Sequence, residues 1–337
     1  MKTSAALAVT ELDLDAPDGP LVGPDRPTTV LALVRLHRHP LGAVEVRVES
    51  GHPFATRLRR AAVAELGPAI LEHELHDQAA EPLPWERAGY APGASTAPAA
   101  FAPAAPAVPG AAEAPPVPLP WDPAEAVPPC LLRRVRLLDD PPPISVVVGT
   151  RERPDRLARC LDSLAAVRYP RFEVLVVDSA PETDASRRVV DRAVGPVRYL
   201  RTRRPGRAAA HALGAAEATG RLIAFTGADV RVDRDWLPAL AESFADARVG
   251  CVAGLTMPVD AAVPPHGILT RGGAWHPDTS GLNLAVDADL ARDLGGFEAG
   301  AVAELSAQAA YQPDAVVWRE HRRRGAAVAA LALGAGS

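Results

Sequence analysis

Apolar runs recur at regular intervals through the second half of the chain. They begin at Ile144 (ISVVVG), Glu173 (EVLVVD), Val197 (VRYL), Leu222 (LIAFT) and Val249 (VGCVAGL), so successive starts are 29, 24, 25 and 27 residues apart. That interval holds one strand, one helix and two short turns. The intervening segments carry a helical period: Leu157, Cys160, Leu161 and Leu164 in the first, Trp236, Leu237, Leu240 and Phe244 in the last. Unbroken apolar triplets such as Val146-Val147-Val148 predict strands covered on both faces, as in a parallel sheet. Residues from Pro143 to about Leu255 therefore read as a helix-flanked, mainly parallel α/β sheet. Ile144–Val148, Glu173–Val177 and Leu222–Phe225 are expected as adjacent central strands.

The first 80 residues show a different pattern. Val30 to His37 and Ala43 to Val48 are rich in aliphatic and β-branched residues, and His39-Pro40-Leu41-Gly42 between them has turn chemistry, which predicts a hairpin. Ala55 to His76 places Leu58, Ala62, Leu66, Ile70 and Leu71 on one helical face. His73 and His76, three apart on that helix, suit a shared metal, but no third ligand is evident in the sequence. Glu72, Glu74 and Asp77 read as a solvated face. Seventeen of the 35 prolines then fall between Pro82 and Pro143, in a background of alanine, which predicts a semi-extended linker. The expected organisation is a small α+β module over 1–80, a Pro/Ala-rich linker over 81–142, an α/β domain over 143–325 and a tail over 326–337.

Composition narrows the function classes. The formal charge is 36 − 41 = −5, and mild acidity argues against nucleic acid as a partner, since phosphate neutralisation needs clustered cations. Cys130, Cys160 and Cys251 are too few and too scattered to predict a disulfide framework or a zinc site. They predict reduced thiols and a cytoplasmic chain. The uncharged stretch from Ala88 to Ala112 carries five prolines, and the uncharged tail from Gly325 to Ser337 is shorter than the ~20 residues a spanning helix needs, so no transmembrane segment is expected.

Open α/β sheets bind ligands beyond the carboxyl ends of their strands. Here those ends read Gly149-Thr150-Arg151-Glu152-Arg153-Pro154, Asp178-Ser179, Arg201-Thr202-Arg203-Arg204-Pro205-Gly206 and Thr226-Gly227-Ala228-Asp229. Guanidinium groups match phosphate oxygens, and an isolated carboxylate beside them suits a divalent cation or a hydroxyl donor. The ordered series VVVGTRERP, EVLVVDSAP, RRPG…ATG and LIAFTGADVRVDRDWL resembles the family 2 glycosyltransferases, which have the GT-A fold. Gly281-Leu282-Asn283-Leu284-Ala285, the Leu294-Gly295-Gly296-Phe297 turn and the segment from Tyr311 to Trp318 extend the resemblance over Pro143 to about Arg324.

The resemblance implies a transferase that moves a sugar from a nucleotide-sugar donor to an acceptor, whether glycan, lipid or small molecule. It implies that Thr150 and Arg151 line the nucleotide pocket, that Asp178 contacts base or ribose, and that Asp229 faces a metal, Mg²⁺ or Mn²⁺. Several positions depart from the family pattern. Gly227-Ala228-Asp229 leaves one carboxylate where the family has an acidic run, so metal binding is expected to be weak and nucleotide-dependent. Asp233 and Asp235 read as the start of the next helix. Arg207 and His211, four apart, are expected to share a helix face toward the donor. No acidic pair follows Phe297; Glu298 and Glu304 are the only acids up to Ala310, which leaves Glu304 as the candidate catalytic base. A non-catalytic module that binds a nucleotide sugar or a protein partner is the alternative.

Overall fold

In the computed structural model, residues 7–15, 28–48, 54–79, 128–259, 281–293 and 309–320 are described. The N-terminal module consists of β1 (Leu7–Asp13), β2 (Thr28–Leu36), β3 (His39–Val48) and α1 (Phe54–Ala79). β2 and β3 form the expected antiparallel hairpin, and β1 adds in parallel to β2. The turn is His37-Arg38, where both residues take positive φ (48° and 67°), the left-handed pair that matches strand twist in a two-residue hairpin. His39-Pro40-Leu41-Gly42, read as the turn, belongs to β3 instead. A register shift between Val34 and Arg35 accommodates this crowded end of the ladder. β1 had no signal of its own, because Leu7–Asp13 mixes apolar and acidic residues without a neighbouring turn motif.

Alternation along β2 decides what this small sheet covers. Val30, Ala32 and Val34 point to α1 and pack with Phe54, Leu58 and Ala62. Leu31 and Leu33 point the other way, onto the large sheet, where they meet Leu255, Met257, Val316 and Trp318. A strand with two buried faces has no polar alternation to show. α2 (Pro129–Leu137) lies within the stretch read as linker, with a proline at its first turn. It packs between α1 and α6. Residues 81–127, the rest of that stretch, lie outside the described residues.

The larger unit continues as β4 (Ile144–Thr150), α3 (Pro154–Ala165), β5 (Phe172–Ser179), α4 (Ala185–Val190), β6 (Val197–Thr202), α5 (Arg207–Glu217), β7 (Leu222–Gly227), β8 (Val230–Val232), α6 (Trp236–Ser243), β9 (Cys251–Pro258), β10 (Leu284–Asp287), α7 (Ala288–Asp293) and β11 (Ala309–Arg319). Among the described residues its strands form one sheet in the order β6-β5-β4-β7-β10-β9-β11-β8. The first four are mutually parallel, with β5, β4 and β7 adjacent as expected. β10 runs antiparallel to β7 and to β9, β11 lies parallel to β9, and β8 closes the edge antiparallel to β11. Helices cover both faces. Leu157, Cys160, Leu161 and Leu164 of α3 join Trp236, Leu237 and Leu240 of α6 in one core, while Ala210 and Ala215 of α5 pack against Val147, Leu175 and Phe225 in the other. α5 lies very close to β4: a Cβ at Gly214 would fall 2.3 Å from Val147 Cγ1.

Candidate active site

The carboxyl ends of the parallel strands open into a cavity of about 600 Å³. Its walls come from five places: the Gly149 to Arg153 segment at the end of β4, Ser179 and Glu182 at and after the end of β5, Gly206, Arg207 and Ala210 at the start of α5, Thr226 to Asp229 at the end of β7, and Leu282 before β10. Parallel pairing puts these ends side by side, since Thr150 pairs with Asp178 and Gly149 with Gly227. Thr150, Arg151, Arg207 and Asp229, named from the sequence, all line this one cavity.

Two threonines stand out on its wall. Thr150 Oγ1 and Thr226 Oγ1 are buried and have no hydrogen-bond partner among the described residues. Buried hydroxyls without partners cost free energy, so a wall that keeps two of them suits a polar ligand. The N-terminus of α5 faces the same space. Gly206 caps it with φ 103° and no side-chain acceptor, which leaves first-turn N–H groups for an anion.

The loops are held by Glu152, itself in the left-handed region with φ 49°. Its carboxylate accepts hydrogen bonds from the N–H groups of Glu182 (2.8 Å) and Thr183 (2.9 Å) and from the Thr183 hydroxyl (2.8 Å). Thr183's backbone and hydroxyl donors, with the Glu182 N–H, hold its pKa below the usual range. Glu152 therefore ties the β4 loop to the β5 loop. Asp229 sits between two guanidinium groups, with Arg153 Nη1 at 3.6 Å and Arg319 Nε at 3.8 Å. Its carbonyl accepts the Glu320 N–H at 2.8 Å, which fixes the end of β11 beside the cavity. Arg319 reaches Asp229 because β11 returns next to β8, where Arg319 pairs with Val230.

Two expected contributors do not line the cavity. Asp178 is fully buried at the end of β5, where the Tyr199 hydroxyl donates to its Oδ2 at 3.1 Å. Burial raises its pKa against these hydrogen bonds. His211 is on the inner side of α5, 1% exposed, with its ring 4.8 Å from that of Phe225. Burial, and then the charge of Arg207, lower its pKa to about 4, so it is neutral near pH 7 and supplies no cation. Arg207 and His211 share a face of α5 one turn apart, but Arg207 stands at the cavity mouth where the helix begins, whereas His211, one turn further in, is packed on Phe225 of β7. Glu304 lies outside the described residues.

Asp233 and Asp235 are occupied elsewhere. Asp233 Oδ2 receives Arg35 Nη2 at 3.0 Å, and Asp235 Oδ2 receives Arg38 Nη1 at 2.8 Å, both from the N-terminal hairpin. Asp235 also stands at the N-cap position of α6. Neither lines the cavity, which leaves Asp229 as the aspartate there.

Comparison with known proteins places these observations. The chain is 32% identical over 145 residues to the O-antigen biosynthesis protein RfbC of Myxococcus xanthus, a match that covers 40% of this chain and 11% of that protein. The chain thus spans about a tenth of the length of the curated relative it matches. A solved structure of the mannosyltransferase PcManGT from Pyrobaculum calidifontis, in complex with GDP-Man and Mn²⁺, aligns at 25% identity with a TM-score of 0.43, covering 57% of this chain and 64% of that one. Among the described residues no helix is long and apolar enough to cross a membrane. Residues 145–274 match the family model for glycosyl transferase family 2, a segment that carries the ends of β4, β5 and β7 and the start of α5 around the cavity.

Proposed function

We propose that this chain transfers a sugar from a nucleoside-diphosphate donor to an acceptor hydroxyl. The observation that carries this reading is the cavity itself: arginines, unpartnered hydroxyls and an uncapped helix N-terminus converge at the carboxyl edge of the parallel strands of a family 2 segment. In such a transfer the acceptor oxygen bonds to the anomeric carbon as the bond to the diphosphate breaks. Charge then develops on the leaving phosphate. Arg153 and Arg207 line the cavity and Arg319 adjoins it through Asp229, so guanidinium groups would take most of that charge.

A divalent cation fits the site modestly. Asp229 offers one carboxylate, and the two guanidinium groups beside it disfavour a free cation. Donor phosphate oxygens would complete the coordination, as is common for Mg²⁺ and Mn²⁺. When bound, the ion would add Lewis-acid stabilisation to the leaving diphosphate. Asp178 and His211 would act from behind the wall, Asp178 by fixing the end of β5 next to Thr150 and His211 by filling the space under α5. Glu304 is the proposed base for the acceptor proton.

Incubation with a panel of nucleoside-diphosphate sugars, with and without Mn²⁺, tests the proposal. One donor should be hydrolysed or transferred, and Glu304→Gln should slow that turnover by ~10²–10⁴-fold if Glu304 is the base. Saturable diphosphate binding without any turnover would favour the non-catalytic reading. Absence of binding across the panel would remove the donor site altogether.

A further inference from the structure

Four side chains with metal-binding chemistry meet where the N-terminal hairpin, α1 and α2 join. His37 sits in the β2–β3 turn. His73 and Asp77 lie four apart on α1 and so share a face. Cys130 opens α2. One ligand atom from each lies within 4.8 Å of the others. His73, expected to share a metal with His76, whose side chain lies outside the described residues, has these three as neighbours, and Asp77 is buried, not on a solvated face.

The distances have the size of a coordination polyhedron. His73 Nε2 is 3.3 Å from His37 Nδ1, and Cys130 Sγ is 3.6 Å from His37 Nδ1 and 3.7 Å from His73 Nε2. Zinc bonds of about 2.0–2.1 Å to nitrogen and about 2.3 Å to sulfur put two nitrogens of a tetrahedral site about 3.3 Å apart, and nitrogen and sulfur about 3.5 Å apart. These three edges match one triangular face of that tetrahedron, while Asp77 Oδ2, 2.7 Å from His37 Nδ1, lies about 0.6 Å inside the edge a bound ion would set, so the carboxylate has to back away as the ion enters. Hydrogen bonding alone accounts for them poorly. His37 Nδ1 faces Asp77 Oδ2 at 2.7 Å as well as His73 and Cys130, yet it has at most one proton to give.

We propose that His37 Nδ1, His73 Nε2, Cys130 Sγ and Asp77 Oδ2 bind a single Zn²⁺ ion. The ion would take the place of the proton on Cys130 and of any proton on His37 Nδ1, and both protons would leave to solvent. His37 then keeps its proton on Nε2, the nitrogen that faces Asp15 Oδ1 at 3.6 Å. The second oxygen of Asp77 accepts the Cys130 N–H at 2.7 Å, which orients the carboxylate. A thiolate and a carboxylate balance the two charges of the ion, as a half-buried site requires. Mixed nitrogen and sulfur ligands select zinc over Mg²⁺ or Ca²⁺. His39 is close, with its ring 5.0 Å from that of His73, but its Nδ1 is engaged by Asp314 at 2.6 Å. An open groove of about 390 Å³, lined by His73, Asp77 and Cys130, gives the ion a way in.

The same residues do not form a cysteine nucleophile with its base. Such a relay sets thiol and carboxylate on opposite nitrogens of the histidine. Here both face His37 Nδ1.

Metal analysis of the full chain, purified and kept without nucleotide so that Asp229 holds no cation, is the test. About one zinc per chain should survive dialysis. Replacement by Co²⁺ should give strong visible bands of tetrahedral cobalt and a near-ultraviolet thiolate charge-transfer band. Cys130→Ser should abolish that band and most of the retained zinc. A chelator should lower the melting temperature of the wild type and leave that of Cys130→Ser unmoved. Should Cys130→Ser fail to fold, the wild-type cobalt spectrum decides alone, because Cys160 and Cys251 are buried in the core and leave Cys130 as the thiolate source. Pale octahedral cobalt without charge transfer overturns the proposal. So does stoichiometric zinc that persists in both Cys130→Ser and His73→Ala, or iodoacetamide labelling of Cys130 at one rate with and without zinc.

Discussion

The two halves of the large sheet handle their charged residues in opposite ways. At the carboxyl edge of β6, β5, β4 and β7, arginines and hydroxyls border an open cavity, and two hydroxyls have no partner among the described residues. In the half built from β10, β9, β11 and β8, the aspartates are consumed internally. Asp314, 3% exposed, receives Arg134 at 2.5 Å and His39 at 2.6 Å, and Arg134 also meets Glu242. Asp233 and Asp235 are taken by Arg35 and Arg38. The sequence alone offers similar charged residues to both halves. What separates a ligand site from a docking surface is whether another part of the chain already supplies the counter-charge.

The largest expected effect follows from the occupied half. Asp314→Ala would leave Arg134 buried without its closest partner, and breaking a buried pair this way costs about 3–5 kcal/mol. Urea unfolding measures it. Arg151→Ala, at an exposed pair 3.5 Å from Glu182, should change stability by no more than about 0.5 kcal/mol. Equal losses for the two would erase the contrast between the halves.

Acid titration sharpens the same point. Burial pushes the Asp314 carboxyl up, but the His39 hydrogen bond and the Arg134 charge outweigh burial and hold its pKa at about 2. An unfolded aspartate titrates near ~3.9. Because the folded value is the lower one, the stabilisation is complete above about pH 4 and drains away as pH falls toward 2. Asp314→Asn should flatten the stability profile in that window. A wild-type profile already flat there contradicts the assignment.

In the open half the first expected effect is on binding. Arg153→Ala should weaken nucleoside-diphosphate binding by roughly 10- to 100-fold, the range for charge-assisted hydrogen bonds, while thermal stability changes little. Calorimetry with the diphosphate alone reads it. Mn²⁺ should bind measurably only after the diphosphate, and Asp229→Asn should remove that dependence; tight Mn²⁺ binding to the free chain argues against the shared coordination.

Gly214→Ala should be smaller, at about 1–3 kcal/mol for overpacking, because the new methyl group meets Val147. By pushing α5 from β4 it should also reduce diphosphate affinity, since Arg207 begins that helix. Unchanged affinity would mean that the start of α5 does not set the cavity.

The strand starts were legible because Ile144, Glu173, Val197 and Leu222 repeat at the length of a strand–helix unit. Their polar ends were legible too, since parallel strands must finish on one edge; Thr150, Arg151, Arg207 and Asp229 meet for that reason. Direction was harder. Arg207 and His211 are four apart, but which face of α5 is buried depends on Phe225 and Gly281, far away in sequence. The hairpin turn moved two residues because His37 and Arg38 accept positive φ, whereas Pro40 carries turn propensity inside a strand. The His37, His73, Asp77 and Cys130 group was illegible, since its members come from three elements and Cys130 follows a proline-rich stretch with no periodicity to place it. Arg319 acquired its position only through the pairing of β11 with β8.

The seat of β2 on β9 and β11 has a practical consequence for anyone trimming the protein. The family match begins at residue 145, and a fragment cut there looks like the natural minimal unit. Such a fragment would present Leu255, Met257, Val316 and Trp318 to water as one bare apolar strip, bordered by Asp233, Asp235 and Asp314 stripped of Arg35, Arg38, His39 and Arg134. It would expose an adhesive surface and a knot of like charges side by side. Its insolubility would say nothing about the cavity residues, because β1 and β2 cover the core of the sheet on which those residues stand.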